Sequence, residues 1–337
     1  SLSNPAASGT VSSSTLLLDG FAVGTYLTGA AYSDKYKSVG AQDAQPEDVT
    51  FKPDGTKMYM AGGQGDDVNE YDLSTAWDVS TASYVRNYSL PQSSGPTKIS
   101  FKPDGTKMYA LMNGAKTIYQ YSLSTAWNVS SASYDTVSFN TYEDTAPSSM
   151  FFKPDGTTLY MCGKTNNKIF QYALTTAWDL STATHDNYKF VLVSGTLTDP
   201  ESFSLSPDGT TFLTLKNSVE VAYQFTLSTA WDISTATYSG TSLNYGVSCR
   251  AATGITFGDN VSKFYISSTT DGTGGGGVAD SIYQFNSGSS SLVTTWDSNI
   301  KWSGGTAPES PVAGETDVYY FSTRDGGTSY IANIAID

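Results

Sequence analysis

The sequence predicts an all-β fold, a six-bladed β-propeller with four antiparallel strands per blade and the last blade closed by an N-terminal strand. Two observations lead there. The first is repetition: Phe51-Lys-Pro-Asp-Gly-Thr-Lys-Met-Tyr59 returns at Phe101–Tyr109, Phe152–Tyr160 and Leu205–Leu213. A second signature, Leu73-Ser-Thr-Ala-Trp-Asp-Val-Ser-Thr-Ala-Ser-Tyr84, returns around Trp127, Trp178 and Trp231. The tryptophans stand 50, 51 and 53 residues apart, a period that means one supersecondary unit copied along the chain. The second observation is that apolar residues within each unit alternate in short runs separated by turn residues, with no sustained helical periodicity.

The second copy shows the unit in order. Lys98–Lys102 reads as an inner strand, and Pro103-Asp-Gly-Thr106 as a tight turn in which proline presets φ and glycine takes the positive-φ position. Lys107–Leu111 is the next strand, Asn113-Gly114 the next turn, Thr117–Ser122 the third strand and Ala132–Phe139 the fourth. A fifth copy begins at Phe257–Tyr265 and ends with Trp296, stretched by the insertion Asp271–Gly277; a sixth is expected near Pro308–Phe321. Ser329–Ala335 reads as the third strand of that sixth blade, with no fourth strand after it. Ala31–Val39 is a spare strand and is expected to complete the sixth blade, which would remove an exposed edge. The domain expectation is therefore an N-terminal arm or linker over residues 1–20 and one propeller over 21–337. No Met stands at position 1, which points to a processed or excised product.

Composition narrows the function. Hydrophobic residues make up 39% and charged residues 15%, and 18 basic against 32 acidic side chains give a net charge of −14. Nucleic-acid binding needs clustered Lys and Arg, so that class is excluded. No apolar run approaches the ~20 residues that span a bilayer, and no signal peptide is visible. Cys162 and Cys249 lie a blade apart and are expected as buried free thiols.

The Phe-Lys-Pro-Asp-Gly-Thr-Lys-Met-Tyr segments resemble the first hairpin of bacterial propellers of the YVTN and TolB-like kind. The Tyr-x-Leu-Ser-Thr-Ala-Trp-Asp-Val-Ser-Thr-Ala-Ser-Tyr signature is similar to repeats of propeller proteins from marine phages and marine bacteria. That resemblance implies a virion or cell-surface setting and supplies no catalytic residues.

Nucleophilic triads would need His185, the single histidine, which occupies the slot filled by Tyr84, Tyr134 and Tyr238 in other blades and reads as structural. Gly163-Lys164-Thr165 lacks the spacing of a phosphate loop and reads as a turn. Carboxylates are the remaining chemistry. The Pro-Asp-Gly-Thr and Ser-Thr-Ala-Trp elements share one face of a propeller, and their uniformity assigns the tryptophans to packing. The opposite face carries loops that differ from blade to blade, where function is expected. Its candidates are Glu47, Asp48, Asp66, Asp67, Tyr142, Glu143, Asp144, Glu201 and Glu309. Glu47, Glu201 and Glu309 follow prolines just before inner strands and should ring the channel mouth, where with Asp48 they could hold a Ca²⁺.

The resulting expectation is a non-enzymatic binding propeller: a phage capsid-decoration or tail-appendage protein, or a surface attachment protein, whose partners are other virion or surface proteins or a host-surface glycan. It would reside on a virion, outside the cell or at its surface. The alternatives are a carboxylate- or metal-dependent propeller hydrolase or lyase, and a secreted bacterial interaction module.

Overall fold

The computed structural model describes residues 26–92, 95–191, 198–258, 261–271, 278–288, 300–302, 318–322 and 330–335. The strands fall into two compact units, one within residues 25–289 and one within 290–337. The larger unit opens with β1 (Ala31–Ser38). Its first blade is β2 (Pro46–Phe51), β3 (Lys57–Gly62), β4 (Asp67–Leu73) and β5 (Ala82–Ser89). The second is β6 (Pro96–Phe101), β7 (Lys107–Met112), β8 (Thr117–Leu123) and β9 (Ala132–Asn140). The third is β10 (Pro147–Phe152), β11 (Thr158–Gly163), β12 (Lys168–Leu174) and β13 (Ala183–Val191). The fourth is β14 (Pro200–Leu205), β15 (Thr211–Lys216), β16 (Val221–Leu227) and β17 (Ala236–Asn244). The fifth follows with β18 (Cys249–Gly258), β19 (Lys263–Asp271) and β20 (Ser281–Asn286), and β1 is its outer strand.

Strands pair in sequence order within each blade, all antiparallel. The inner strands adjoin in the cycle β2, β6, β10, β14, β18 and back to β2, so the five sheets close around an axis. Apolar residues of facing sheets fill the space between blades. Met58, Met60, Tyr71 and Val79 of the first blade, for example, pack with Tyr265 and Ile282 of the fifth.

Two expectations require correction. Among the described residues the complete four-stranded blades number five, not six, and β1 pairs with β20, not with the C-terminal strand: Ala31 faces Asn286 and Ser38 faces Ser281. Tyr32 and Tyr36 lie against Tyr283 at 5.9 and 6.0 Å between ring centroids, so the match of aromatic faces fixes this register. The segment before β1 also does what the tryptophan signature does elsewhere. Leu27 sits where Val79, Val129, Leu180 and Ile233 sit, and its N–H donates to Gln224 Oε1 of the fourth blade at 3.2 Å. In the smaller unit, β21 (Ile300–Trp302), β22 (Val318–Ser322) and β23 (Tyr330–Ala335) form a three-stranded sheet with β23 in the middle, antiparallel to β22 and parallel to β21. Trp296 and Pro308 lie outside the described residues.

Four of the five blade interfaces are bolted through a tryptophan. Trp77, Trp127, Trp178 and Trp231 all have φ between +63° and +67°, a left-handed conformation that costs roughly 1 kcal/mol for a side chain with a Cβ. The turn lays each indole flat on the glycine of the Pro-Asp-Gly-Thr turn, where a Cβ on Gly55, Gly105, Gly156 or Gly209 would overlap the ring. It also aims the tryptophan carbonyl at the preceding blade. Tyr59 Oη donates to Trp127 O at 2.7 Å, Tyr109 to Trp178 and Tyr160 to Trp231 at 2.6 Å, and Tyr265 to Trp77 at 2.7 Å. A second bond accompanies several of these, from the N–H two residues after the tryptophan to a Glu or Gln of the preceding blade. Val129 donates to Glu70, Leu180 to Gln120 and Val79 to Gln284.

Tyr109→Phe leaves the buried Trp178 carbonyl without its donor and is expected to lower unfolding free energy by about 1–3 kcal/mol in urea titrations. Gly105→Ala, which meets both the positive φ and the indole, should cost more than about 3 kcal/mol; similar midpoints for the two variants would show that the stack is not limiting. A chain shortened to begin at Val39 uncovers the β20 edge and is expected to self-associate in light scattering. A monodisperse shortened chain would contradict that role for β1.

Candidate active site

The inner strands carry an irregularity that builds a site. Just after each begins, its ladder to the next strand slips by a residue or more, between Pro46 and Asp48, Pro96 and Lys98, Pro147 and Ser149, Pro200 and Phe203, and Ala252 and Gly254. A β-bulge re-aims the side chain it carries. Here the bulge residues Glu47, Thr97, Ser148, Glu201 and Thr253, one from each blade, line a cavity of about 280 Å³ at the channel mouth. A second tier comes from the far end of strand two in the other blades: Asn113, Lys164 and Asn217, which follow β7, β11 and β15, and Thr269, near the end of β19, line the same cavity. The first blade places Gly63 at that position, and Glu47 packs over it so closely that a Cβ would meet Glu47 Cγ and Oε1 at 2.9 Å.

Three of these side chains ionise. Lys164 Nζ is ion-paired to Glu201 Oε1. Burial pushes the Glu47 carboxyl up to about 7; the negative charge of Glu201 adds to the effect, and the Lys164 ammonium opposes it. Burial also raises Glu201, against the pull of Lys164. Two carboxyls, Glu47 held near neutrality, and one ammonium therefore face a polar cavity, the arrangement that general acid–base chemistry uses.

The loops that present them are clamped by aspartates. Asp144 accepts from Ala146 N (2.8 Å), Thr165 N (3.2 Å) and Asn166 N (2.8 Å), fastening the turn that carries Lys164 to the loop before β10. Asp43 does the same in the first blade with Gln45 N, Gln64 N and Gly65 N at 2.7, 3.3 and 2.6 Å. Beneath the cavity the next residues of the inner strands hold the blades together. Asp48 and Lys98, both buried, form an ion pair at 2.6 Å, and Asp48 also accepts from Ile99 N. Burial pushes the Asp48 carboxyl up to about 6 even with that partner. Ser149 and Ser202 hydrogen-bond at 3.3 Å.

Of the residues singled out from sequence, Glu47 and Glu201 are brought together at the channel mouth. Asp48 points into the blade interface and Asp144 into its own loop. Asp67 accepts from Asn69 and Asn87, Asp66 from Gly95 N, and Glu143 from Tyr172 Oη. Tyr142 is exposed, 76% of its surface accessible, and Glu309 lies outside the described residues. Among the described residues no group of three His, Cys, Asp or Glu side chains could hold a metal ion. Lys164 now stands as a site residue that sequence reasoning took for part of a turn. The signal that exposes it is positional: it follows the strand-two residue opposite Pro147, as Asn113 and Asn217 do in their blades. His185 on the outer strand lies against Tyr172 with ring centroids 5.4 Å apart and the rings tilted by 57°, opposite it in register as Tyr84 is opposite Tyr71. Both cysteines are free and buried. No helix among the described residues is long and apolar enough to cross a membrane.

Fold and site together define a closed β-propeller with a carboxylate–ammonium centre in its channel mouth. The chain belongs to the lactonase, 7-bladed β-propeller family, whose model matches residues 31–228. The family description carries seven blades, whereas five complete ones are present among the described residues. No curated protein matches. Solved structures with similarity include a candidate 6-phosphogluconolactonase from Bacteroides uniformis (15% identity, 59% of this chain and 55% of that one, TM-score 0.41). A protein from Lactobacillus plantarum (14%, 66% and 64%, 0.45) and the periplasmic gluconolactonase of Pseudomonas aeruginosa (16%, 59% and 54%, 0.39) are also similar. The chain thus spans between 54% and 64% of the length of these three. The family match overturns the expectation of a non-enzymatic virion or attachment protein and favours the hydrolase alternative.

Lys98→Met would leave the Asp48 charge buried and alone, a loss of about 3–5 kcal/mol. Lys98→Met combined with Asp48→Asn is expected to recover most of it in urea unfolding. A double variant no more stable than the single one would mean that the pair does not bridge the blades energetically.

Proposed function

We propose that this protein hydrolyses a lactone at the channel mouth, with Glu47 as general base and Lys164 as electrophilic partner. The observation that carries the reading is the Glu47 carboxyl, held near 7 beside the Lys164–Glu201 pair in a polar cavity, in a chain of the lactonase family. Ionised Glu47 takes a proton from water as the water oxygen bonds to the lactone carbonyl carbon. The Lys164 ammonium would stabilise the negative charge that develops on the carbonyl oxygen. When the ring C–O bond breaks, Glu47 returns its proton to the departing oxygen, so a lactone and a water become one hydroxy acid. Glu201 fixes the ammonium in place, and Asp144 fixes the turn that bears it. His185, on an outer strand, takes no part in this scheme.

Glu47→Gln is expected to lower kcat for an aldono-1,5-lactone by at least about 10²-fold. In the unaltered protein kcat/KM should fall as pH drops through about 7, because protonated Glu47 cannot accept a proton. The same shift acts on stability. The folded state holds this proton more tightly than the unfolded chain, so stability declines as pH rises from the ordinary carboxyl range through about 7. Glu47→Gln should therefore melt higher than the parent at pH 8 and lose that advantage at pH 4. Unchanged turnover in Glu47→Gln, with the melting behaviour as expected, would remove Glu47 from the chemistry.

A further inference from the structure

The charges of the cavity lining bear on which lactone fits. Its ionisable side chains are two carboxyls, Glu47 and Glu201, against one ammonium, Lys164, which is already bonded to Glu201. The surroundings deepen the negative side, since Asp43 and Asp48 bear on Glu47 and Asp199 bears on Glu201. The buried cation below, Lys98, is matched by Asp48. Apart from Ala251, the rest of the lining is hydroxyl and amide. The Asn113 and Asn217 carboxamides, uncommitted among the described residues, each offer a donor and an acceptor to the cavity.

From this we propose that the channel-mouth site takes an uncharged, polyhydroxylated ring and turns away its phosphorylated counterpart. The proposal deepens the lactone-hydrolase reading and rests on it for the reaction, but not for the ligand's charge. A phosphate group needs a free guanidinium, an ammonium or a cluster of N–H donors to replace its water, and like charge facing like charge disfavours it further. Paired hydroxyl and amide groups, by contrast, exchange hydrogen bonds with neighbouring sugar hydroxyls at no cost in charge. Glu201 is the specificity-determining residue on this view: by pairing with Lys164 it offsets the charge of the one cation among the described lining residues, which keeps N–H donors for a carbonyl oxygen but no net positive charge to hold a phosphate.

Binding of 1,5-anhydroglucitol and of glucose 6-phosphate, neither of which is a lactone, separates recognition from catalysis when measured by calorimetric titration on the full chain. The uncharged sugar is expected to bind at least about ten-fold more tightly. Glu201→Gln, which frees Lys164, should narrow that ratio about ten-fold, whereas Lys164→Met should leave the phosphorylated sugar excluded. Tighter or equal binding of glucose 6-phosphate to the unaltered protein overturns the proposal. So does a failure of the uncharged sugar to bind, or a ratio that Glu201→Gln leaves unchanged while its melting curve shows a folded protein. If the uncharged sugar binds but no aldono-1,5-lactone is hydrolysed, the ligand class stands and the hydrolase reading falls. If lactones are hydrolysed with the 6-phosphate preferred, the hydrolase reading stands and the ligand class falls.

Discussion

The hydrogen bond from a tyrosine hydroxyl to a tryptophan carbonyl one blade further on is the interaction from which the rest of this propeller follows. Its donor sits on the second strand of a blade, and its acceptor exists only because the next tryptophan adopts a positive φ. That backbone conformation is in turn tolerable because the indole finds a glycine with no Cβ beneath it. Glycine, tryptophan and tyrosine thus form one mechanical unit spread over two blades, and each repeat must conserve the geometry for its neighbour's sake. Where the fourth blade places Leu213 in the tyrosine slot, the second bond of the pair, from Leu27 N–H to the Gln224 carboxamide, still joins it to the fifth. A ring in which every interface keeps at least one of the two bonds resists the opening of any single one.

How much of this was readable in advance varies with the range of the interaction. The strands of the second blade match their expected bounds to within a residue or two at each end, because alternation and the Pro-Asp-Gly-Thr turn are encoded within ten residues. Ring closure was readable only in part: Ala31–Val39 stands out as a spare strand that completes a blade, but not as the outer strand of the fifth. Leu27–Ala30 retains an apolar residue at the Val79 position but neither the aspartate nor the capping serine of the signature, so it does not look like the other copies. Its role is set by pairing between Ala31 and Asn286, which lie far apart in the chain. Glu47 and Glu201 were visible as Pro-Glu pairs before inner strands. Lys164 was not, because its meaning depends on which residue of the fourth blade lies next to the third.

The site's electrostatics and the fold's cohesion occupy adjacent layers of the same strands. Glu47 is exposed enough to meet a ligand and buried enough to hold its proton near neutrality, while its neighbour Asp48 turns into the blade interface and closes an ion pair. The bulge separates these duties, giving two successive residues different directions. Several acidic side chains that looked like a binding face from sequence are bonded within the fold instead, Asp66 and Asp144 to backbone N–H groups and Asp67 and Glu143 to side-chain donors.

The way β1 joins the fifth blade also determines how the ring would behave under tension. Ala31 is the first residue of β1 and faces Asn286, the last residue of β20, so the chain enters and leaves this ladder at the same end. A pull applied through the two flanking segments would not shear the strands along their length but part them like a zip. The Tyr26–Gly288 backbone bond would be loaded first, followed by one ladder rung at a time. The closure that gives the sheet its outer strand is for that reason strong against thermal opening in the middle and weak against a directed force at its ends.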